Sequence, residues 1–156
     1  MAAATTARLT DDDLANPRTL IPEELFGFLI DRIAREEDIP AEEAARIMEQ
    51  ALAFLVACAF NPDARLPLSE QVDIGWHAFL AYTRQYQEFC VKVAGRFIRH
   101  APIDTPEDAI RNPMAAIGAT VEAMRAADLP VAPKLWIPAS QCSQCYAGCA
   151  DDPRES

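Results

Sequence analysis

Apolar residues recur at helical spacing in the first part of the chain. The stretch PEELFGFLIDRIAREE begins at Pro22, which suits the first turn of a helix, and two glutamates follow where acidic side chains favour the positive helix end. We therefore predict an amphipathic helix from about residue 22. One face of this helix carries Leu25, Phe28, Leu29, Arg32 and Ile33.

The stretch DIPAEEAARIMEQALAFLVACAF predicts a second helix. Pro40 opens it, Glu42 and Glu43 lie in its first turn, and the sequence NPDARLP ends it. The apolar run ALAFLVACAF indicates that this helix is buried, and Cys58 within it is expected to behave as a small core residue. Its wide apolar stripe comprises Ala44, Ile47, Met48, Ala51, Leu52, Leu55 and Val56.

A third, long helix is predicted from Ser69 to about Ile98, with Gly75 and Gly95 as the positions where a kink or break is plausible. At about 100° per residue, one stripe of this helix faces the core. Asp73 and His77 fall on a neighbouring stripe, which places His77 at the edge of the core. The core stripe comprises Val72, Trp76, Phe79, Thr83, Tyr86, Cys90, Ala94 and Phe97.

The remaining sequence predicts one further helix and an irregular end. TPEDAI offers a helix start with Thr105 as its cap, and MAAIGATVEAMRAAD predicts a fourth helix after Pro113. Beyond it the chain has several prolines and no periodicity, so we expect an arm that packs Leu135, Trp136 and Ile137 onto the helices.

These patterns predict an all-α fold, a compact bundle of four to five helices with an extended C-terminal arm. We expect a disordered N-terminal tail over residues 1–20, a helical domain over residues 21–138 and a cysteine-rich tail over residues 139–156. No stretch alternates in the manner of a β-strand of useful length.

Composition and charge restrict the function. The 156 residues are 51% hydrophobic, which suits one domain with a real core. With 24 acidic and 14 basic residues the net charge is -10, so we expect no binding to nucleic acid or to anionic membranes. No signal peptide or membrane-spanning run is visible, so we expect a cytoplasmic protein. Reduced cysteines in that compartment favour metal or redox chemistry over disulfides.

Asp73 and His77 form the first candidate site. They are four residues apart, so their side chains are neighbours on one helix face. A carboxylate beside an imidazole fixes its tautomer and raises its basicity, which serves both metal ligation and base catalysis. Arg84, two turns further on, is a candidate for holding an anionic ligand or for pairing with Asp73. Alternatively, the Asp73–His77 pair has only a structural role, in which it connects one helix to another.

The stretch from Val72 to Pro102 resembles the glycine-rich-domain-containing proteins, including short bacterial versions without the glycine-rich region. The resemblance implies a helical domain built around Asp73, His77, Cys90 and His100, with no known reaction. His100 would end the third helix, about 35 Å from His77 if that helix is straight. The matching residues are Val72, Asp73, Trp76, His77, Thr83, Tyr86, Phe89, Cys90, Gly95, Phe97, Ile98, His100 and Pro102.

The tail sequence CSQCYAGC forms the second candidate site. Cys142, Cys145 and Cys149 have the C-x2-C-x3-C spacing in which two thiolates share one zinc ion and a third follows after a turn. His100, His77, Cys90 or an aspartate of ADD could be the fourth ligand. An iron–sulfur cluster would need Cys58 or Cys90 as its fourth cysteine. Reactive thiols or an unspecialised tail are the alternatives.

Three functions follow from these candidates. The first is a small metal-binding protein of accessory or regulatory role, with zinc held by Cys142, Cys145, Cys149 and a histidine; iron is the second choice of metal. Another is a small metalloenzyme in which Asp73 orients His77 and Arg84 binds an anionic substrate. The last is an acidic interaction module without metal. We expect the protein to bind another protein or a small molecule, but the sequence does not identify this partner.

Overall fold

Helices make up most of the chain that the structure describes. The computed structural model describes residues 8–102, 113–136 and 149–151. The α-helices in these ranges are α1 (Asp11–Ala15), α2 (Glu23–Glu37), α3 (Ala41–Phe60), α4 (Glu70–Leu80), α5 (Thr83–Ala94), α6 (Pro113–Ala126) and α7 (Pro133–Trp136). A 3-10 turn spans Pro17–Leu20, and two short strands are β1 (His100–Pro102) and β2 (Cys149–Asp151).

Ordered elements begin earlier than the sequence pattern predicted. Thr10 caps α1 in a capping box, in which its side chain accepts from the backbone N–H of Asp13 and the Asp13 carboxylate accepts from the backbone N–H of Thr10. The 3-10 turn follows at once and buries Pro17 and Leu20. The apolar signal here is too short for a periodic pattern, so we predicted no element before Pro22.

Helices α2 and α3 have the predicted starts and largely the predicted faces. Pro22 and Pro40 are their N-caps. Every residue of the predicted α3 stripe is buried, and α3 packs against α2, α4, α5 and α6 at the centre of the bundle. On α2 the prediction is wrong for Phe28, which is 50% exposed, because Phe26 takes the core position instead.

The predicted third helix is two helices, which corrects the single-helix prediction. It begins as expected, with the Ser69 side chain accepting from the N–H of Val72. It ends at Leu80, and Tyr82 has non-helical dihedral angles before α5 begins. Neither proline nor glycine marks the break, so tertiary packing overrides local helix propensity there. As a result Thr83, expected on the core stripe, is exposed.

Of the two glycines marked in the sequence as possible break positions, only Gly95 ends a helix. Gly75 lies inside α4 and permits its close approach to α3, since a Cβ there would lie 2.8 Å from the Cβ of Ala51. Gly95 ends α5 in the left-handed conformation (φ 69°), a common helix terminus. The chain then continues as a non-helical segment, which exposes Phe97 and buries Ile98.

The C-terminal arm is fixed by a buried glutamine of α3. The Oε1 atom of Gln50 accepts from Trp136 Nε1 at 2.8 Å and from the backbone N–H of Ala132 at 3.0 Å. Its Nε2 donates to the carbonyl of Pro130 at 3.1 Å. Trp136 is buried as predicted, and Ile137, also assigned to the arm, lies outside the described residues.

The observed architecture confirms an all-α helical bundle with an extended arm. Strand is limited, within the described residues, to β1 and β2, which pair antiparallel. No helix in the described ranges has the length and apolar character needed to cross a membrane. The boundaries proposed at residues 20 and 138 stay predictions.

Candidate metal centre

Helix α4 supplies two of the three residues of the candidate site. Asp73 is buried, with a 4% exposed side chain, whereas the side chain of His77 is 60% exposed. Their i,i+4 spacing brings His77 Nε2 to 3.5 Å from Asp73 Oδ2, as the sequence predicted. A buried carboxylate requires polar or charged partners, because an unpaired charge in the interior is costly.

Strand β1 supplies the third residue, His100. Its Nε2 lies 2.8 Å from Asp73 Oδ1, and its side chain is 13% exposed. The His100 ring packs edge-on against Trp76 and against His77, with centroid distances of 4.4 Å in both cases. The expectation that His100 ends a helix is wrong. The break after α4 and the end of α5 at Gly95 bring the histidines together.

A hydrogen-bonded relay holds β1 in this place. Trp76 Nε1 donates to the hydroxyl of Tyr86 at 2.9 Å, and that hydroxyl donates to the carbonyl of Ile98 at 2.5 Å. All three residues are buried. Burial raises the pKa of the Tyr86 phenol well above its usual range, and Cys90 beside it acts in the same direction. The relay fixes the backbone two residues before His100, so Tyr86 is a positioning residue for the site.

The three side chains form a donor set suited to one metal ion. One ligand atom from each of Asp73, His77 and His100 lies within 4.8 Å of the other two. Donors on a tetrahedral zinc ion are about 3.4 Å apart, because bonds of about 2.1 Å meet at tetrahedral angles. Within the triad, His100 Nε2 lies 2.8 Å from Oδ1 of Asp73, and His77 Nε2 lies 3.5 Å from Oδ2 of the same carboxylate.

A cleft of about 390 Å³ opens onto Asp73 and His77 between α2 and α4. Its lining is acidic. The charged residues around it are Arg32, Glu36, Glu37, Glu70 and Asp73, and Arg32 Nε already lies 3.1 Å from Glu36 Oε1. Such a lining attracts cations and repels anions.

Arg84 lies apart from this cleft. It is exposed on α5, and the arginine that lines the cleft is Arg32 of α2. The proposed role of Arg84 as an anion-binding residue of the cleft therefore gains no support from its position. Sequence spacing placed it on the same long helix as His77, and the break at Tyr82 removes that geometric basis.

The predicted cysteine site falls mostly outside the described residues. Cys142 and Cys145 lie there, and Cys149 is described only as part of strand β2. Cys58 and Cys90 are buried in the apolar core, as predicted. A zinc site or iron–sulfur cluster in the tail therefore stays a prediction.

The acidic residues of the cleft were missed by sequence reasoning. Glu36 and Glu37 end α2, while Glu70 begins α4, so no local spacing connects them. Gln50 and Tyr86 were also not recognised as structural anchors, since a glutamine on a helix usually faces solvent and a tyrosine on an apolar stripe usually only packs. The acidic C-terminal end of α2 is visible in the sequence, but the position of α4 beside it is not.

Comparison with known proteins gives one result that bears on this region. A family model described as UCP032817-like matches residues 21–117, a span that contains all three residues of the triad. No curated protein and no solved structure matches the chain significantly. The resemblance to glycine-rich-domain-containing proteins is therefore wrong, because the shared spacing of aromatic, histidine and cysteine positions belongs here to a different family. With well over half of its length matched, the chain belongs to the UCP032817-like family.

Proposed function

We propose that this protein binds one divalent transition-metal ion through Asp73, His77 and His100. The observation that carries the proposal is the convergence of two imidazoles on one buried carboxylate, with a ligand atom of each within 4.8 Å of the others. The three residues come from α4 and β1, which a bound ion would tie together. Binding would therefore stabilise the folded chain.

The donor chemistry favours zinc, with ferrous iron as the second choice. Two histidines and one carboxylate are a ligand set that zinc uses in open sites, where water or substrate takes the fourth position. The same set with several open positions is used by non-haem iron. Iron would require the reducing cytoplasm that we expect for this protein. Magnesium and calcium prefer all-oxygen sites, so two imidazoles disfavour them.

The cleft gives the proposed ion a route to solvent. His77 and Asp73 line it, so an open coordination position would face its interior. Its glutamates raise the local concentration of cations and disfavour anionic ligands. A small metalloenzyme acting on an anionic substrate is therefore the less favoured form of this proposal. Accessory metal binding, or action on a neutral or cationic molecule, fits the charge better.

A metal-free role for the triad is the second candidate. The hydrogen bond between His100 and Asp73 already gives the buried carboxylate a partner. In that case the triad would serve only to hold β1 on α4, and the acidic surface would dock a basic protein. Addition of metal would then leave the stability of the protein unchanged.

Thermal unfolding with and without Zn²⁺ separates the two candidates. Free zinc at about 100 times its dissociation constant stabilises a folded protein by about 2.7 kcal/mol. For a chain of this size the corresponding rise in Tm is about 5–10 °C. We expect that rise in the wild-type protein and not in a His77→Ala variant.

Two further variants serve as matched controls. Glu70→Gln removes a charge from the same cleft outside the triad, and Arg84→Ala removes the cation once considered for the site. Both are expected to keep most of the zinc-dependent rise in Tm. An equal rise in the wild-type and His77→Ala proteins would place the zinc elsewhere and refute the triad as its site.

A further inference from the structure

The backbone of strand β1 connects the triad to the C-terminal part of the chain. His100 is the first residue of β1 and carries the imidazole that lies 2.8 Å from Asp73 Oδ1. The backbone of β1 pairs antiparallel with β2, with His100 opposite Asp151 and Pro102 opposite Cys149. The same short strand therefore has its first side chain in the proposed metal site and its backbone in the contact with β2.

The pairing of β1 with β2 is short. It comprises three residue pairs, and Pro102 has no backbone N–H to donate to β2. In the described ranges the two strands form a sheet of their own, with no third strand beside either of them. A two-stranded pair of this kind is marginally stable in water. The free energy of opening this pair is therefore low, so a ligand that fixes β1 shifts the equilibrium by a measurable factor.

Resting on the metal site proposed above, we propose that zinc bound at the triad strengthens the pairing of β2 with β1. In the metal-free chain, the hydrogen bond between His100 and Asp73 connects the start of β1 to α4. An ion shared by Asp73, His77 and His100 replaces that connection with metal–ligand bonds. A segment already fixed by one ligand has less conformational freedom to lose when a second element binds to it. The pairing of β2 thus responds to whether the ion is bound.

The strand pairing joins two separate parts of the sequence. The triad lies within the family match at residues 21–117, whereas β2 begins at Cys149, the last cysteine of the sequence CSQCYAGC. The cysteine-rich sequence thus runs directly into the strand that pairs with β1. Zinc at the triad therefore acts on the end of this sequence, which is a regulatory role for an accessory metal-binding protein.

Hydrogen exchange in the full-length chain tests this inference. The backbone amides of residues 149–151 are followed by mass spectrometry in the presence of a chelator and in saturating Zn²⁺. We expect zinc to slow their exchange by at least about fivefold, the lower end of typical coupling between two sites. The His77→Ala variant, which lacks one ligand of the triad, should show no zinc-dependent change. Slowing that persists in His77→Ala would place the effect outside the triad and overturn the inference.

Reciprocity gives a second, quantitative test. Because coupling between two sites is mutual, the factor by which zinc slows exchange in β2 should equal the factor by which loss of pairing weakens zinc binding. Ala150→Pro/Asp151→Pro removes two successive N–H groups, one of which faces β1 in an antiparallel ladder. This variant should bind zinc more weakly by that factor in competition with a chromogenic chelator.

A matched variant keeps the strand. Ala150→Val/Asp151→Thr also removes the charge of Asp151, but its new side chains favour strands and both N–H groups remain. It should bind zinc as tightly as the wild type. Exchange that is equal with and without zinc, in a protein that binds zinc, would overturn this inference and leave the triad site intact. A wild-type protein that binds no zinc would overturn both the triad site and this inference.

Discussion

The Nε2 atom of His100 lies 2.8 Å from Oδ1 of Asp73, although 27 positions separate the two residues in sequence. Asp73 lies on α4 and His100 on β1, so the contact depends on the break after α4 and on the end of α5. His77 completes the group from the solvent side, with its Nε2 at 3.5 Å from the other carboxylate oxygen. One buried carboxylate thereby joins both histidines of the chain.

Replacement of Asp73 tests the centre of this arrangement. Asp73→Asn keeps the size of the side chain and removes the negative charge of the carboxylate, whose two oxygens face the two imidazoles. We expect zinc affinity to fall by more than about 100-fold, beyond the loss caused by outer-shell changes. Stability without metal should fall by about 1–2 kcal/mol, because a charge-assisted hydrogen bond becomes a neutral one. Competition titration and urea unfolding in the presence of a chelator measure the two effects.

Tyr86 is expected to act on the site through β1. Tyr86→Phe leaves the buried Trp76 Nε1 without its acceptor and the Ile98 carbonyl without its donor. Each unsatisfied buried group costs about 1–3 kcal/mol, so we expect a total loss of about 2–6 kcal/mol in urea unfolding. Zinc affinity should fall as well, since His100 is two residues beyond Ile98. Unchanged affinity in this variant would remove Tyr86 from the positioning role.

The buried phenol also predicts a loss of stability at alkaline pH. Burial raises the pKa of Tyr86 in the folded chain, whereas in the unfolded chain it titrates near pH 10. The stabilising contribution is therefore complete below about pH 10 and is lost above it, by up to about 1.4 kcal/mol per pH unit. The stability difference between wild type and Tyr86→Phe isolates this effect from other titrations. That difference should shrink as the pH rises above 10, and a constant difference would contradict the prediction.

Because α4 packs closely on α3 at Gly75, we expect Gly→Ala substitutions to have opposite effects on stability at different positions. Gly75→Ala places a Cβ 2.8 Å from the Cβ of Ala51 and 3.1 Å from the carbonyl of Ile47, so the helices must separate. We expect a loss of about 1–3 kcal/mol. Zinc affinity should also fall, because Asp73 and His77 flank Gly75 on α4.

Two other helical glycines provide the matched controls. An added Cβ at Gly27 of α2 or Gly118 of α6 meets nothing within 4 Å. Gly→Ala at either position should stabilise the protein by about 0.4–1 kcal/mol through helix propensity and reduced freedom of the unfolded chain. Urea unfolding of the three variants checks both signs. Similar losses in all three would show that the close approach at Gly75 is not the cause.

The sequence predicts well the features that depend on neighbouring residues, and it predicts poorly the contacts between residues that are far apart in the chain. Both ends of α3 follow from Pro40 and from the Asn-Pro pair after Phe60, and the Asp73–His77 contact follows from helical spacing. The break at Tyr82 has no proline or glycine to announce it. Aromatic packing joins the two helices across this break, with the Phe79 ring of α4 at 5.2 Å from the Tyr86 ring of α5.

The same holds for the candidate site: contacts within one helix were predicted from the sequence, and contacts between separate elements were not. His77 was placed beside Asp73 by spacing, whereas a straight helix would have kept His100 about 35 Å away from it. The acidic cleft joins the end of α2 to the start of α4, and no sequence period links those segments. Contacts of this kind become visible only once the chain has folded.

The metal content of the untagged protein, purified without added metal, tests the central claim most directly. It should be measured for the wild type, for His77→Ala and for a Cys142→Ser/Cys145→Ser variant. The triad predicts about one zinc ion per chain in the wild type and in the cysteine variant, and almost none in His77→Ala. Zinc that persists in His77→Ala and disappears in the cysteine variant would contradict the triad and place the ion in the tail. An absence of metal from all three proteins would contradict metal binding altogether.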